Sequence, residues 1–235
     1  MTAELKLVKV PISEVFYSIQ GEGLHAGRPS VFIRTYFCNL SCSWCDTKYT
    51  WLGQERAKEG SEYKLAKISD LAEEVAKYNC RHIVITGGEP MLHQASLLPL
   101  LKELSIDGYA IEIETNGTIR PIDELIDAVE LFNVSPKLSN SGMAGRVRAD
   151  ILHAFADSGK AWFKFVICEK KDIEEVRSFI ALYNLPGERV MLMPEGTDKD
   201  TLLERTLWIA EACKTYNFTL SPRLHILLYG NVRGR

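Results

Sequence analysis

The stretch Ser30-Val31-Phe32-Ile33-Arg34-Thr35-Tyr36-Phe37 runs directly into Cys38-Asn39-Leu40-Ser41-Cys42-Ser43-Trp44-Cys45-Asp46-Thr47. Its first eight residues are rich in β-branched and aromatic side chains and follow Pro29, which predicts a strand over residues 30–37. That strand delivers Cys38 at its C-terminal end. Three cysteines then fall within eight residues, close enough for their thiolates to meet at one soft metal centre, and the missing fourth leaves a position open to something other than protein. Taken alone, the spacing fits an iron–sulfur cluster with an exchangeable ligand, a zinc site completed from afar, or plain structural thiols. Arg34 stands mid-strand, where a charge is costly unless paired, so it needs either an acidic partner or an anionic ligand.

With 235 residues, 46% hydrophobic and 25% charged, the chain has material for one large core, and a single α/β domain is expected. The formal net charge is -3, from 28 Lys plus Arg against 31 Asp plus Glu, so no global basic field points to nucleic acid or a membrane surface. No basic, apolar leader begins at Met1 and no apolar run is long enough to span a bilayer, so a cytoplasmic location is expected. The remaining cysteines, Cys80, Cys168 and Cys213, are scattered; they read as buried small hydrophobes rather than as a disulfide framework.

Outward from the cysteines the chain alternates. Residues 15–19 read as a short strand or turn leading into Gln20-Gly21-Glu22-Gly23, where glycines allow close backbone approach. Residues 53–67 form a polar, solvated insertion with no assigned chemistry. Ser69 is placed to cap a helix carrying Leu71 and Val75. Strands are expected at 83–86, 109–114, 131–134, 162–167 and 189–193, and helices at 97–104, 122–127 and 173–183. A long amphipathic helix follows at 200–216, with Leu203, Leu207, Ile209 and Ala210 on its apolar side. Repeated βα units demand parallel pairing with right-handed crossovers. About six such strands are too few for a closed eight-stranded barrel, so a partial TIM-type barrel is expected.

Chemistry in such folds gathers at the C-terminal strand ends. Those ends carry Cys38, Thr86-Gly87-Gly88-Glu89-Pro90, Glu114-Thr115-Asn116-Gly117, Ser135-Pro136-Lys137 and Met193-Pro194-Glu195-Gly196. The glycines before Glu89 leave backbone amides accessible, a loop suited to an amino acid's charged ends. Glu114 and Lys137 have a simpler reading as a structural ion pair.

Cys38-x3-Cys42-x2-Cys45 with Trp44, followed in the next βα unit by Gly87-Gly88-Glu89-Pro90, is similar to the radical S-adenosylmethionine superfamily. Within it, Tyr17-Ser18-Ile19-Gln20-Gly21-Glu22-Gly23, Cys45-Asp46-Thr47, Glu114-Thr115-Asn116-Gly117 and Ser135-Pro136-Lys137 resemble the 7-carboxy-7-deazaguanine synthase family along essentially the whole chain. The resemblance implies one radical SAM domain over residues 1–235, with a substrate-binding extension at 1–29 and a C-terminal tail at about 218–235. It implies a 4Fe-4S cluster, S-adenosylmethionine and Mg2+, a homodimer, and a flavodoxin- or ferredoxin-like electron donor. The implied reaction converts 6-carboxy-5,6,7,8-tetrahydropterin to 7-carboxy-7-deazaguanine with loss of ammonia, towards queuosine or archaeosine.

The same resemblance distributes roles. Cys38, Cys42 and Cys45 ligate the cluster. Gly88, Glu89, Glu114, Ser135, Pro136 and Lys137 contact the sulfonium cofactor, with Met193, Pro194, Glu195 and Gly196 beside its adenine. Ile19, Gln20, Gly21, Glu22 and Thr86 meet the pterin, Arg34 meets the substrate carboxylate, and Thr47 meets Mg2+. Arg223, His225 and Arg235 in the tail stand either at the substrate or at a dimer interface. His25, His82, His93 and His153 attract no functional expectation. Two other classes compete: an activating enzyme forming glycyl radicals on a protein partner, which leaves Gln20-Gly21-Glu22-Gly23 and Asp46-Thr47 unexplained, and a non-catalytic iron–sulfur or zinc protein, which has no use for the Gly88-Glu89 loop.

Overall fold

A computed structural model describes residues 8–235. Residues 1–7, where the expected N-terminal extension begins, lie outside the described residues. The strands are β1 (Lys9–Ile19), β2 (Pro29–Thr35), β3 (Lys64–Lys67), β4 (His82–Gly87), β5 (Ala110–Thr115), β6 (Leu131–Val134), β7 (Ala161–Ile167), β8 (Val190–Pro194) and β9 (Thr219–Leu220). They form one sheet in the order β3-β1-β2-β4-β5-β6-β7-β8-β9. From β2 to β9 every pairing is parallel, whereas β1 is antiparallel to β2 and β3 antiparallel to β1. The sheet does not close on itself, so the architecture is a partial TIM-type barrel.

Strand alternation separates two environments. One face carries Val31, Ile33, Ile83, Ile85, Ile111, Ile113, Phe132, Val134, Phe163, Phe165, Val190 and Leu192, which form the apolar core together with residues of the surrounding helices. Successive side chains point to opposite faces, so the other face presents Ser30, Arg34, His82, Thr86, Glu112, Glu114, Asn133 and Lys164 to the interior. Eight polar positions on an inner sheet face are costly unless each finds a partner or a ligand. That cost marks the interior as functional.

The helices α1 (Ile68–Ala76), α2 (Gln94–Ile106), α3 (Asp123–Ala128), α4 (Ala149–Asp157), α5 (Lys171–Tyr183) and α6 (Lys199–Tyr216) accompany the strands, and α7 (Leu224–Tyr229) lies in the tail. No helix among the described residues is long and apolar enough to cross a membrane. Several expectations need correction. Strand β1 is eleven residues long rather than a short piece at 15–19, because its first half pairs with β3, and β3 is itself the end of the supposedly loop-like insertion. Ser69 lies inside α1 and bonds Asp70, leaving Lys67 as the capping residue without a side-chain bond. In α6 the buried residues are Leu202, Ile209 and Cys213, while Leu203 and Leu207 are 61% and 70% exposed, so the apolar stripe is rotated from the expected one. Cys213 is buried as expected, but Cys80 and Cys168 are only half-buried.

Candidate active site

The chain leaves β2 through Phe37, whose φ of 75° is a left-handed conformation that costs a non-glycine residue about 1–2 kcal/mol. Its N–H is held by the Thr50 carbonyl at 2.9 Å. This turn lifts Cys38 off the sheet into the loop above it. Gln54 then clamps Cys38 on both sides of its backbone, accepting from its N–H and donating to its carbonyl, each at 3.1 Å. The insertion at 53–67 therefore contributes to the site, contrary to its expected neutrality. Leu40 N–H points at Cys38 Sγ at 3.4 Å, and Trp51 Nε1–H at Cys45 Sγ at 3.3 Å. Both are donors aimed at sulfur, an arrangement that suits a thiolate.

Burial pushes the Cys38 thiol up to about 12 against the pull of the Leu40 N–H, and burial also raises Cys42. Thiols raised above their ordinary value by burial are protonated near neutrality, so they become thiolates only against a strong local cation. Among the described residues, only His25, His82 and Glu112 bring three potential ligand atoms within 4.8 Å of one another; the three thiols are spread more widely. A polynuclear cluster taking one thiolate per iron fits that spread. A single zinc ion does not.

Gly88 brings the next loop against this one. A Cβ at Gly88 would lie 2.0 Å from the Phe37 carbonyl oxygen, so only glycine lets the loop after β4 pack on the cysteine turn. The adjacent Glu89 carboxylate faces away from the cavity. It is fully buried and accepts from Met91 N–H (3.0 Å), Thr115 Oγ1 (2.7 Å) and Asn116 N–H (2.7 Å). Glu89 thus ties the loop after β4 to the loop after β5, and burial holds its pKa up despite these donors.

One cavity collects the strand ends. Of the expected residues it is lined by Cys38, Cys42, Cys45 and Thr47, by Ile19, Gln20, Gly21, Glu22, Arg34 and Thr86, and by Gly88, Glu114, Ser135, Lys137, Met193 and Glu195. Glu89, Pro136, Pro194 and Gly196 do not line it. Pro136 lies between the inward Ser135 and Lys137, Pro194 falls in the outward phase of β8, and a Cβ at Gly196 would meet Leu202 of α6 at 3.2 Å or less. Glu114 and Lys137 form no ion pair: Glu114 accepts from Thr86 Oγ1 at 2.7 Å and Gln20 Nε2 at 3.3 Å, while Lys137 donates to Ser135 Oγ at 2.9 Å and stands over the Trp44 ring. Arg34 has an acidic partner within the chain, its Nε donating to Glu14 Oε1 at 2.7 Å. Its terminal guanidinium nitrogens have no protein partner among the described residues, so it still offers donors to the cavity.

The cavity also holds Asn133 and Lys164, which are not expected there, and the tail residues Arg223, His225 and Arg235 line it as well. Lys164 Nζ is paired with Glu22, and Arg223 reaches three loops at once: its Nε donates to Glu22 Oε1 at 3.1 Å, its Nη1 to the Gly196 carbonyl at 2.6 Å, and its Nη2 to Asp46. Burial would raise the Glu22 carboxyl, but Lys164 and Arg223 outweigh it and hold the group far below the usual carboxylate range. His225 packs on Gly21, where any Cβ would lie 2.0 Å from its Nδ1. A lone charge centred in an apolar strand, as in Ala161–Ile167, is the sequence signal that marks Lys164.

An open barrel, parallel from β2 onward, with three thiols after β2 and a glycine loop after its parallel neighbour β4 defines a radical S-adenosylmethionine protein. The model of the Radical SAM superfamily matches residues 32–151. The 7-carboxy-7-deazaguanine synthase of Pyrobaculum aerophilum is 41% identical over 97% of this chain and 98% of its own, and that of Escherichia coli is 32% identical over 93% and 97%. The crystal structure of QueE from Escherichia coli superposes with a TM-score of 0.73 at 31% identity, covering 95% of this chain and 99% of that one. The chain belongs to the 7-carboxy-7-deazaguanine synthase family, and membership implies a 4Fe-4S cluster and S-adenosylmethionine as cofactors.

Proposed function

We propose that this chain converts 6-carboxy-5,6,7,8-tetrahydropterin to 7-carboxy-7-deazaguanine with release of ammonia, in 7-deazapurine biosynthesis. The observation that carries the reading is the convergence of the cysteine loop, the Gly87-Gly88 loop and a polar inner sheet face on one cavity, in a chain 41% identical to a synthase of that name. When bound, the cluster and S-adenosylmethionine supply a one-electron cleavage that starts hydrogen abstraction from substrate. Cys38, Cys42 and Cys45 hold the cluster, with Gln54 and Trp51 fixing its loop. Gly88 gives backbone access to the amino-acid part of the sulfonium cofactor, and Glu114, Ser135 and Lys137 give it polar partners, with Met193 and Glu195 nearby.

On the substrate side, Ile19, Gln20 and Gly21 form a wall against the pterin, and Thr86 adds a hydroxyl. Glu22, kept ionised by Lys164 and Arg223, is an acceptor for ring N–H groups, and the free guanidinium nitrogens of Arg34 take the carboxylate. Thr47 Oγ1 stands 3.6 Å from Cys45 Sγ, and this hydroxyl would hold Mg2+, a hard cation that would supply charge to orient the oxygen-rich substrate. The reading further takes the chain as one radical SAM domain in a cytoplasmic homodimer, served by a flavodoxin- or ferredoxin-like donor. The test is anaerobic incubation of cluster-loaded protein with reductant, S-adenosylmethionine, Mg2+ and the carboxy-tetrahydropterin, followed by mass analysis. Formation of the deazaguanine is expected. Cofactor cleavage without that product would reject the substrate while leaving the superfamily assignment intact.

A further inference from the structure

Deeper in the barrel than the cavity wall, three side chains from separate segments meet. His82 opens β4, Glu112 lies on the inner face of β5, and His25 belongs to the turn between β1 and β2. Glu112 is fully buried and His82 98% buried. Glu112 Oε2 lies 2.7 Å from His25 Nδ1 and 3.4 Å from His82 Nε2. Its other oxygen accepts from Gln20 Nε2 at 2.7 Å and from Asn133 Nδ2.

Ser30 Oγ has one proton and two acceptors in reach, the Arg28 carbonyl at 3.0 Å and His82 Nδ1 at 2.7 Å. With that proton on the carbonyl, Ser30 accepts from His82 Nδ1–H, and the bare lone pair of Nε2 faces the Glu112 carboxylate. That nitrogen makes no hydrogen bond among the described residues, and neither does Asn133 Oδ1 in the same cluster; only Glu103 and Asp172 supply other such buried side-chain atoms. A lone pair facing a buried carboxylate is repulsive unless a cation stands between them.

We propose that His25, His82 and Glu112 bind a borderline divalent first-row cation of the zinc class, at a site separate from the cysteine loop. Two imidazoles and one carboxylate are a donor set that such ions accept. Two ligands about 2.1 Å from an ion at the tetrahedral angle are about 3.4 Å apart; His82 Nε2 and Glu112 Oε2 already have that separation, and His25 Nδ1, hydrogen-bonded to the same oxygen at 2.7 Å, joins them by giving up that bond to the ion. Outer partners are in place for two of the ligands, Ser30 for His82 Nδ1–H and Gln20 with Asn133 for the second Glu112 oxygen, and the Glu130 carboxylate stands 3.8 Å from His25 Nε2. Through Glu112 the ion would also hold the Gln20 amide at the cavity wall. The proposal is independent of the reaction assigned above.

The test uses the full chain with its cluster loaded, so that Cys38, Cys42 and Cys45 are occupied and iron reports on them separately. After exposure to Zn2+ and removal of excess, elemental analysis is expected to find one zinc equivalent per chain beyond the iron. His82→Ala and Glu112→Gln should each weaken zinc binding by more than about tenfold at unchanged iron content. Replacing zinc by Co2+, read as the difference from the cluster-loaded protein before addition, should give new ligand-field bands without a new thiolate charge-transfer band. Failure to retain zinc, retention by both variants, or a new thiolate band would overturn the site. Nitrogen NMR of the histidine rings needs no substitution: His82 Nε2 should shift on zinc addition, and a ring protonated on both nitrogens and indifferent to zinc would equally overturn it.

Discussion

Glu112 and Glu114 stand two residues apart on the inner face of β5, one on the floor of the barrel interior and one on its rim, in opposite surroundings. On the floor, Glu112 is ringed by donors from the chain, Gln20, Asn133 and His25. Burial would raise its pKa, but the hydrogen bond and charge of His25 bring it down to about 2. On the rim, Glu114 has one good donor in Thr86 and a long bond from Gln20, and burial with the nearby charges of Glu22 and Glu112 leaves its pKa raised despite Lys164. The Glu112 carboxylate on the floor is satisfied by protein donors, with His82 Nε2 and Asn133 Oδ1 beside it left unpartnered, whereas the Glu114 carboxylate on the rim keeps polar capacity in hand. Rim groups that the fold leaves underpaired are those a ligand can complete, which is why strain and function coincide there.

The strongest way to break that division is to remove the rim's metal-binding capacity. Cys42→Ala is expected to abolish cleavage of S-adenosylmethionine, read as loss of 5′-deoxyadenosine, together with loss of cluster iron, while the apo fold melts as before. A variant that kept its iron would refute the three-thiol assignment. Next in size is the charged network that closes the rim. Lys164→Met leaves Glu22 buried with Arg223 alone, and removing one partner of a buried pair costs about 3–5 kcal/mol, measurable by denaturant unfolding. Because the folded Glu22 is depressed, its contribution is present above the ordinary carboxyl pKa and lost as pH falls below that range. The parent should therefore lose stability in acid over an interval in which the Lys164→Met protein changes less.

Much of the rim was legible in the sequence, because short apolar strands ending in Cys38, Gly87-Gly88, Glu114 and Ser135 announce parallel βα units and the edge where they act. The floor was not, although the same clue was present. A polar residue inside an apolar strand marks Arg34, but Glu112 and Asn133 on the floor interrupt their strands in the same way, as does Lys164 on the rim. What hid them is that inward and outward phases of a strand differ only by register, which a lone sequence leaves open until neighbours are paired. The helical counterpart is α6, where spacing offered Leu203 and Leu207 for the core and packing chose Leu202, Ile209 and Cys213. Arg34 needed Glu14, twenty residues away and directly opposite on β1, to reveal its partner. Arg223 needed contacts 177 and 201 residues back along the chain, and no local pattern encodes those.

The smallest predicted effects test the floor and the rim against each other with the same isosteric change, in protein free of added metal. Glu112→Gln puts an NH2 group among the donors Gln20, Asn133 and His25, so at least one of them loses its acceptor, at a cost of about 1–3 kcal/mol. Glu114→Gln removes a charge that burial disfavours and keeps an acceptor for Thr86, so it should be neutral or stabilising by less than about 1 kcal/mol. Their pH dependences carry opposite signs. The Glu112 contribution is present above the ordinary carboxyl value of 4.5 and lost as pH falls towards about 2, so the deficit of Glu112→Gln shrinks in acid. Glu114 has a raised pKa, so its contribution is complete below the ordinary value and lost as pH rises through the folded one. The advantage of Glu114→Gln should accordingly grow with pH. Urea unfolding of the two variants and the parent across the acid range measures both trends, and parallel curves would show that floor and rim do not differ in kind.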